Sequence, residues 1–350
     1  MKLKHNFILI LIFLTLPKMY AQDIHLAQTN MTPLLVNPAN AGAEYTMRGI
    51  LNYRTQWGSI SEPYVTMMAA VDMNLKNPTT RTNNFGYFAG GIYMFNDKAG
   101  ASLMKTTQVN LSIAYHVNLN AKNTLGLGIQ GGYFQRSANI DNLTWGNQFD
   151  GYEYNQAFET GEGSEFNGFS FGATDYTSGL VWTYRNNEKY LSGNNLLLTS
   201  GVSLHHLTKP DFETQSLVPD QLHYRFIWHG NAIVGLNPRF SILPYLYYSQ
   251  QGSINEIFFG SDVLYMLKQA SKYTKNNKGM AIGGGAFYRW NDAVILALIM
   301  QYDNYTFGFS YDINTSSLSN ATNKNGAYEF SLRYVYPNPF GGIKSTARFK

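Results

Sequence analysis

Between Leu103 and Val117 apolar and polar residues alternate, strictly so from Val109 onward. Leu103, Val109, Leu111, Ile113, Tyr115 and Val117 fall on one side, and Thr106, Gln108, Asn110, Ser112, Ala114 and His116 on the other. A period of two belongs to a β-strand with one apolar and one polar face. The fifteen residues 103–117 would extend about 50 Å at about 3.3 Å each. A tilted strand needs only about 9–11 residues to cross a bilayer core of about 30 Å. The strand is therefore expected to project beyond the lipid, with Lys105, on the apolar side, near or outside the interface.

The pattern recurs. Val65, Met67, Ala69, Val71 and Met73 oppose Tyr64, Thr66, Met68 and Asp72, and Leu125, Leu127, Ile129, Gly131 and Tyr133 oppose Thr124, Gly126, Gly128 and Gln130. Turn-forming residues punctuate the chain at Lys76-Asn77-Pro78, Asn96-Asp97-Lys98-Ala99-Gly100, Asn120-Ala121-Lys122-Asn123, Arg185-Asn186-Asn187-Glu188 and Asn237-Pro238. From Tyr45 to Tyr336 there are about fourteen alternating segments, an even number as single-chain barrels have. In the last, Tyr328, Phe330, Leu332, Tyr334 and Tyr336 face outward and Glu329, Ser331 and Arg333 inward. The stretch from Ser137 to Asn167, rich in Asn, Gly and acidic residues and containing Trp145, reads as one long loop on the outer side. With an even strand count, both termini are expected on the periplasmic side.

Beyond residue 21 the longest apolar run is Ala293 to Met300, too short for a spanning helix. A membrane form must then be a closed barrel, because lipid offers no partner to open backbone groups. A secreted β-sandwich or propeller also alternates, but its strands are typically about 5 or 6 residues. The fold expected is all-β, a transmembrane antiparallel barrel of about 14 strands. Composition agrees: charged residues are 14%, against about a quarter in soluble domains, aromatics are 15%, and 32 glycines accompany them.

Met1 to Ala21 has a basic start (Lys2, Lys4), an apolar core from Asn6 to Leu16 and a small residue, Ala21, before Gln22. This is the pattern of a cleaved export signal. Removing Lys2, Lys4 and Lys18 takes the formal charge from +4 to +1, which leaves no electrostatic case for nucleic acid. The organisation read from the chain is a signal peptide at 1–21, a periplasmic or plug segment at 22–44, the barrel at 45–336 and a periplasmic tail at 337–350. In that tail Lys344, Arg348 and Lys350 are available to a partner, although a solvated tail is the default.

No constellation argues for catalysis, and no cofactor or metal is expected. Ser112 and His116 share a face but lie about 13 Å apart along a strand, beyond the reach of a nucleophile and base. His205 and His206 are adjacent and should point to opposite faces, one to the lumen and one to an interface or loop. Asp141, Asn147 and Asp150 do not match a calcium-loop spacing. Gly283-Gly284-Gly285 has no following helix and suits a crowded strand better than a phosphate loop. Arg48, Arg54 and Arg333 are expected to face the lumen and pair with carboxylates such as Asp72 and Glu329, since the lumenal side of a barrel is polar.

An ordered series of short motifs runs through the mature chain. It comprises Asn37-Pro38-Ala39-Asn40-Ala41-Gly42, Tyr53-Arg54-Thr55-Gln56-Trp57, Asn96-Asp97-Lys98-Ala99-Gly100, Ala114-Tyr115-His116-Val117, Leu143 through Asp150, His206-Leu207-Thr208-Lys209-Pro210, Ser310-Tyr311-Asp312-Ile313-Asn314 and the final strand. Together they resemble the PorP/SprF family over nearly the whole mature length. Asn40 stands where that pattern has an aromatic residue, and Gly58 where proline often follows the tryptophan. The resemblance implies an outer-membrane barrel shaped like the long-chain fatty-acid transporter FadL and associated with type IX secretion and gliding. It implies as partners the outer-membrane lipid, other proteins of that machinery and a secreted surface protein such as an adhesin. The alternative is a FadL-like channel for small apolar molecules.

Gln22 to Glu44 contains Pro33, Pro38 and the apolar patch Leu34-Leu35-Val36. Two prolines prevent a spanning strand, and the patch is better buried than left in the periplasm. The segment is expected to plug the lower barrel, with Leu34, Leu35, Asn37, Pro38 and Gly42 as plug or partner contacts and Asn37 and Gly42 shaping its turn. The competing reading is a mobile periplasmic leader.

Overall fold

The computed structural model describes residues 24, 26–58, 63–75, 85–100, 104–138, 143–161, 169–186, 196–212, 220–268, 279–316 and 325–336. The signal at 1–21, the tail at 337–350, the turn Lys76-Asn77-Pro78, Asn187, Glu188 and Asp141 lie outside them. Fourteen antiparallel strands close into a barrel. They are β1 (Met47–Gln56), β2 (Tyr64–Asn74), β3 (Gly86–Ala99), β4 (Met104–Asn118), β5 (Asn123–Ala138), β6 (Phe169–Arg185), β7 (Leu196–His205), β8 (Arg225–Gly235), β9 (Phe240–Gln251), β10 (Ile254–Lys268), β11 (Met280–Arg289), β12 (Ala293–Tyr302), β13 (Tyr305–Asn314) and β14 (Asn325–Tyr336). Each pairs with its neighbours in sequence, and β1 pairs with β14 from Met47↔Tyr336 to Gln56↔Ala327, which closes the ring. A two-stranded ladder, Asp211–Phe212 with Asp220–Gln221, sits in the connection between β7 and β8.

Alternation becomes exposure. On β4, Leu111 is 58% exposed and Ile113 52%, whereas Ser112 between them is 0%. The apolar side faces the surroundings and the small or polar side the interior, the pattern of a barrel in lipid. Among the described residues no helix is long and apolar enough to cross a membrane. Gly283-Gly284-Gly285 lies inside β11, paired on one side with β10 and on the other with β12.

Two turns form as their residues dictate. Asn120 Oδ1 accepts the N–H groups of Lys122 and Asn123, both at 2.9 Å, and Asn237 Oδ1 does the same for Arg239 and Phe240. The segment Asn96 to Gly100 differs from its expectation. Its first four residues continue β3, with Asn96 donating to the Thr107 hydroxyl at 2.7 Å and Asp97 accepting from that of Thr66, and the turn starts only at Gly100, whose φ is +65°. Cross-strand partners near the end of β3 overrode local turn chemistry. The long loop starts later than read, because Ser137 and Ala138 still belong to β5. Its core is Gln148, whose side chain bonds the Trp145 N–H, the Tyr154 hydroxyl and the Phe158 carbonyl.

Met47 and Tyr336 mark one end of the barrel, called the inner end below; Ala138 and Phe169, from which the connection 139–168 leaves the wall, mark the opposite end, called the outer end. Replacing Leu111, midway along β4, by arginine puts a charge on the lipid face and should cost about 2–4 kcal/mol of folding stability. Urea titration in lipid vesicles measures this, and Ser112→Ala should shift the midpoint far less.

Candidate functional site

The interior of the ring is occupied by the chain's own residues 26–44, most of them buried. Ile24 lines a cavity of about 540 Å³ at the outer end together with Trp57, Phe95 and Arg136. The carboxylate of Glu44 meets inner-end residues of β1, β7 and β8. The segment therefore begins near the outer mouth and leaves at the inner one, although both ends of the barrel wall lie at the inner end.

Its path is set by prolines and side-chain caps. Pro33 opens a single helical turn, Pro33–Val36, and Pro38 opens a 3₁₀ turn, Pro38–Asn40. Asn37 joins them. Its Oδ1 accepts the Ala39 N–H at 2.9 Å, and its Nδ2 donates to the wall carbonyls of Leu180 (2.9 Å) and Val202 (3.1 Å). Leu34 is fully buried in a cluster with Leu26, Ala41, Ile50, Met68, Tyr93 and Phe95, and Leu35 packs against its edge. Val36 packs with Ile227, Tyr245, Tyr247 and Phe258 on the opposite wall. Pro38 is buried as well. Gly128 allows close approach here, since a Cβ on it would collide with the backbone of Ala39. Gly42 has a φ of +60°, a left-handed conformation that suits glycine, and its N–H donates to Asp72 Oδ2 at 2.9 Å.

Charged groups tie the segment to the wall. Arg48 makes two bonds to Asp72, at 2.8 and 3.2 Å, and reaches the Asn40 carbonyl and Glu44, both at 3.3 Å. Burial pushes the Glu44 carboxyl up, but Arg48, the Asn231 amide, Arg333 and Arg185 more than reverse this and hold it below the ordinary carboxylate range. Arg54 donates to Asp312 at 2.8 Å and lies 3.5 Å from Glu329. Glu329, 0% exposed, accepts the N–H groups of Ala27 (2.6 Å) and Gln28 (3.3 Å) and the amide of Asn52 (3.2 Å). The arrangement brings Arg48 to Asp72 and Arg54 to Glu329. Arg333 is different: its guanidinium stands 5.8 Å from the centre of the Tyr45 ring, which Arg48 faces at 5.6 Å. Sequence reasoning missed Asp312, the tightest partner of Arg54, although its place on the inward side of β13 with Thr306, Gly308 and Ser310 was a usable signal.

The two adjacent histidines make separate contacts. The expectation that His205 and His206 face opposite sides fails because His206 has a φ of +59°, which takes it out of the strand. Both are buried: His205 contacts Ser203 (3.1 Å) and the Val36 carbonyl (3.2 Å), and His206 contacts Asp175 (2.8 Å). No group of three metal-binding side chains occurs among the described residues. The Ser203 hydroxyl donates to the Val36 carbonyl at 2.7 Å, so its proton is engaged beneath the lumenal segment. Ser112 donates to Gln130 at 2.9 Å, and His116 lies 2.8 Å from the Ala41 carbonyl with its ring stacked on Tyr87. In the long loop, Asp150 accepts the N–H groups of Tyr152 and Glu153, each at 2.8 Å, and these bonds hold its carboxyl below the usual range. It forms a turn there, while Asn147 lies against Gly161.

Residues 18–334 match the family model described as type IX secretion system membrane protein PorP/SprF. The chain belongs to the PorP/SprF family. It is accordingly an outer-membrane barrel of that secretion system. No curated protein sequence matches it. Among solved structures it is similar to the Pseudomonas putida toluene transporter TodX, with 10% identity, 90% of this chain and 94% of that one covered, and a TM-score of 0.45. A Pseudomonas aeruginosa FadL homologue gives 9%, 86%, 92% and 0.43, and BamA from Haemophilus ducreyi 10%, 83%, 70% and 0.42. At such scores the likeness is one of general barrel form and bears no weight on function.

Removing one partner of a buried ion pair strands the other. Arg54→Met in this PorP/SprF barrel leaves Glu329 and Asp312 without their shared cation and should cost about 3–5 kcal/mol, read as a fall in the urea midpoint; a loss below about 1 kcal/mol would show that the cluster does not hold the wall and segment together.

Proposed function

We propose that this barrel is an accessory component of the type IX secretion and gliding machinery that binds protein partners to export or anchor a surface protein such as an adhesin. The observation that carries this reading is the filled lumen. Residues 26–44 cross it from mouth to mouth and bond to the wall through Asn37, Gly42, Arg48 and Glu329. A barrel occupied in this way offers partners its rims rather than an open conduit. The complete strand ring and the filled lumen weigh against a FadL-like route for small apolar molecules, which would need an open apolar lumen or a sideways gap. The long connection 139–168 is assigned to the cell surface, and the barrel remains embedded in outer-membrane lipid.

Deleting residues 24–40 should leave an inserted barrel with clearly higher single-channel conductance, since the lumen loses its filling. An unchanged trace from a correctly inserted variant would sink the plug assignment. Partner binding has its own test: barrel purified from its native membrane under mild conditions should carry further type IX components and a surface protein in fixed ratio. Recovery of the barrel alone, with small apolar molecules crossing liposomes that contain it, would favour transport instead.

A further inference from the structure

β6 has 17 residues and β7 only 10. β5 pairs with β6 along its whole length, up to Ala138↔Phe169, but β7 pairs with it only from Ser178 to Arg185. The outer half of β6 therefore stands as a wall with a ladder on one side only. The cause is His206: its positive φ ends β7 and turns the chain away, leaving, among the described residues, two hydrogen bonds from the connection to the β6 backbone, Leu207 N–H to the Tyr176 carbonyl (3.0 Å) and the Thr208 hydroxyl to the Thr174 carbonyl (3.2 Å).

In a strand the N–H and C=O of one residue point to the same side and alternate along the chain. The Tyr176 carbonyl points toward β7, so the same side carries the N–H of Thr174 and both backbone groups of Gly172 and Ser170. No described residue pairs with these on that side. Proteins usually protect such an edge with proline, lysine, a bulge or a covering segment. Ser170-Phe171-Gly172-Ala173-Thr174 has neither proline nor charge, and Asp175 faces inward, bound to His206.

We infer that the bare side of β6 at Ser170–Thr174 is a docking edge that takes up an extended strand of a surface-located protein partner by β-augmentation. This deepens the partner-binding reading above and rests on it. A second copy of the chain does not fit, because joining the same edge of two identical strands requires them antiparallel, which would invert one barrel in the membrane. A lipid does not fit either, since acyl chains supply no alternating donors and acceptors. The faces beside the edge specify the guest strand. Phe171 and Ala173 pack with Phe134 and Leu222, so alternate guest residues should be apolar; the exposed Ser170, Gly172 and Thr174 favour small or polar residues at the positions between.

The test uses the full-length barrel recovered from its native membrane with its partners. The pair Ser170→Pro and Thr174→Pro removes two edge N–H groups while leaving the bonds to β5, which use the residues between. Heat-dependent mobility on gels should show an intact barrel, and bound partner should fall at least tenfold, whereas Ser170→Ala with Thr174→Ala should retain it. Partner retention within twofold of wild type in the proline variant overturns the docking edge. Amide hydrogen exchange keeps the inference testable even if that variant does not fold: in the wild-type complex Gly172 and Thr174 should exchange at least tenfold more slowly than in the barrel alone, and Ala173 should not change. Equal rates at Gly172 and Thr174, or a second copy of the barrel as the bound species, overturn it. A wild-type barrel that carries no protein at all overturns partner binding itself, which separates the two failures.

Discussion

Inside a bilayer no peptide group can be left facing lipid, and each unpaired N–H or C=O there costs several kcal/mol. A chain of alternating strands meets this demand only by joining its first strand to its last. The β1–β14 ladder does so, pairing residues almost 300 positions apart in sequence. Closure in turn creates an enclosed space whose walls carry charges among apolar clusters. Inward Arg48, Arg54, Asp72, Asp312 and Glu329 are nearly inaccessible to solvent, so their charges must be met by one another or by the segment that fills the space. The lumenal contents thus follow from the membrane's demand on the backbone.

Above the lipid that demand lapses. There β5 and β6 rise as a paired wall, β7 stops short, and the chain departs through His206. Water satisfies an open edge at modest cost, so the fold tolerates outside the membrane an irregularity it could not hold within it. The closed belt is regular, and the rim above it is built unevenly. This division accords with binding residues being held on irregular structure above a rigid scaffold.

Much of the barrel could be read from sequence because alternation is a local signal that the two-faced environment enforces at every step. The pairing of Arg48 with Asp72 was accessible for a related reason, since the two are directly opposite on β1 and β2, as Arg54 and Glu329 are on β1 and β14. The link from Arg54 to Asp312 was hidden because it spans two strand spacings across the closure, which no local pattern reports. Asn96 to Ala99 misled because turn-forming composition outside the bilayer competes with cross-strand hydrogen bonds, and the bonds prevailed. The facing of His205 and His206 was misjudged because a single backbone angle, set by tertiary context, moved the second ring. The inequality of β6 and β7 depends on where two strands end, the least determined feature of any sequence pattern.

Glu329 has a bearing on how the molecule can be made. It belongs to the closing strand, yet it holds the backbone of Ala27 and Gln28, some 300 residues earlier. Contacts of such separation form late and slowly, because a long loop must be gathered before they give any return. The seam that closes the ring is therefore also the clasp that holds the early segment in place.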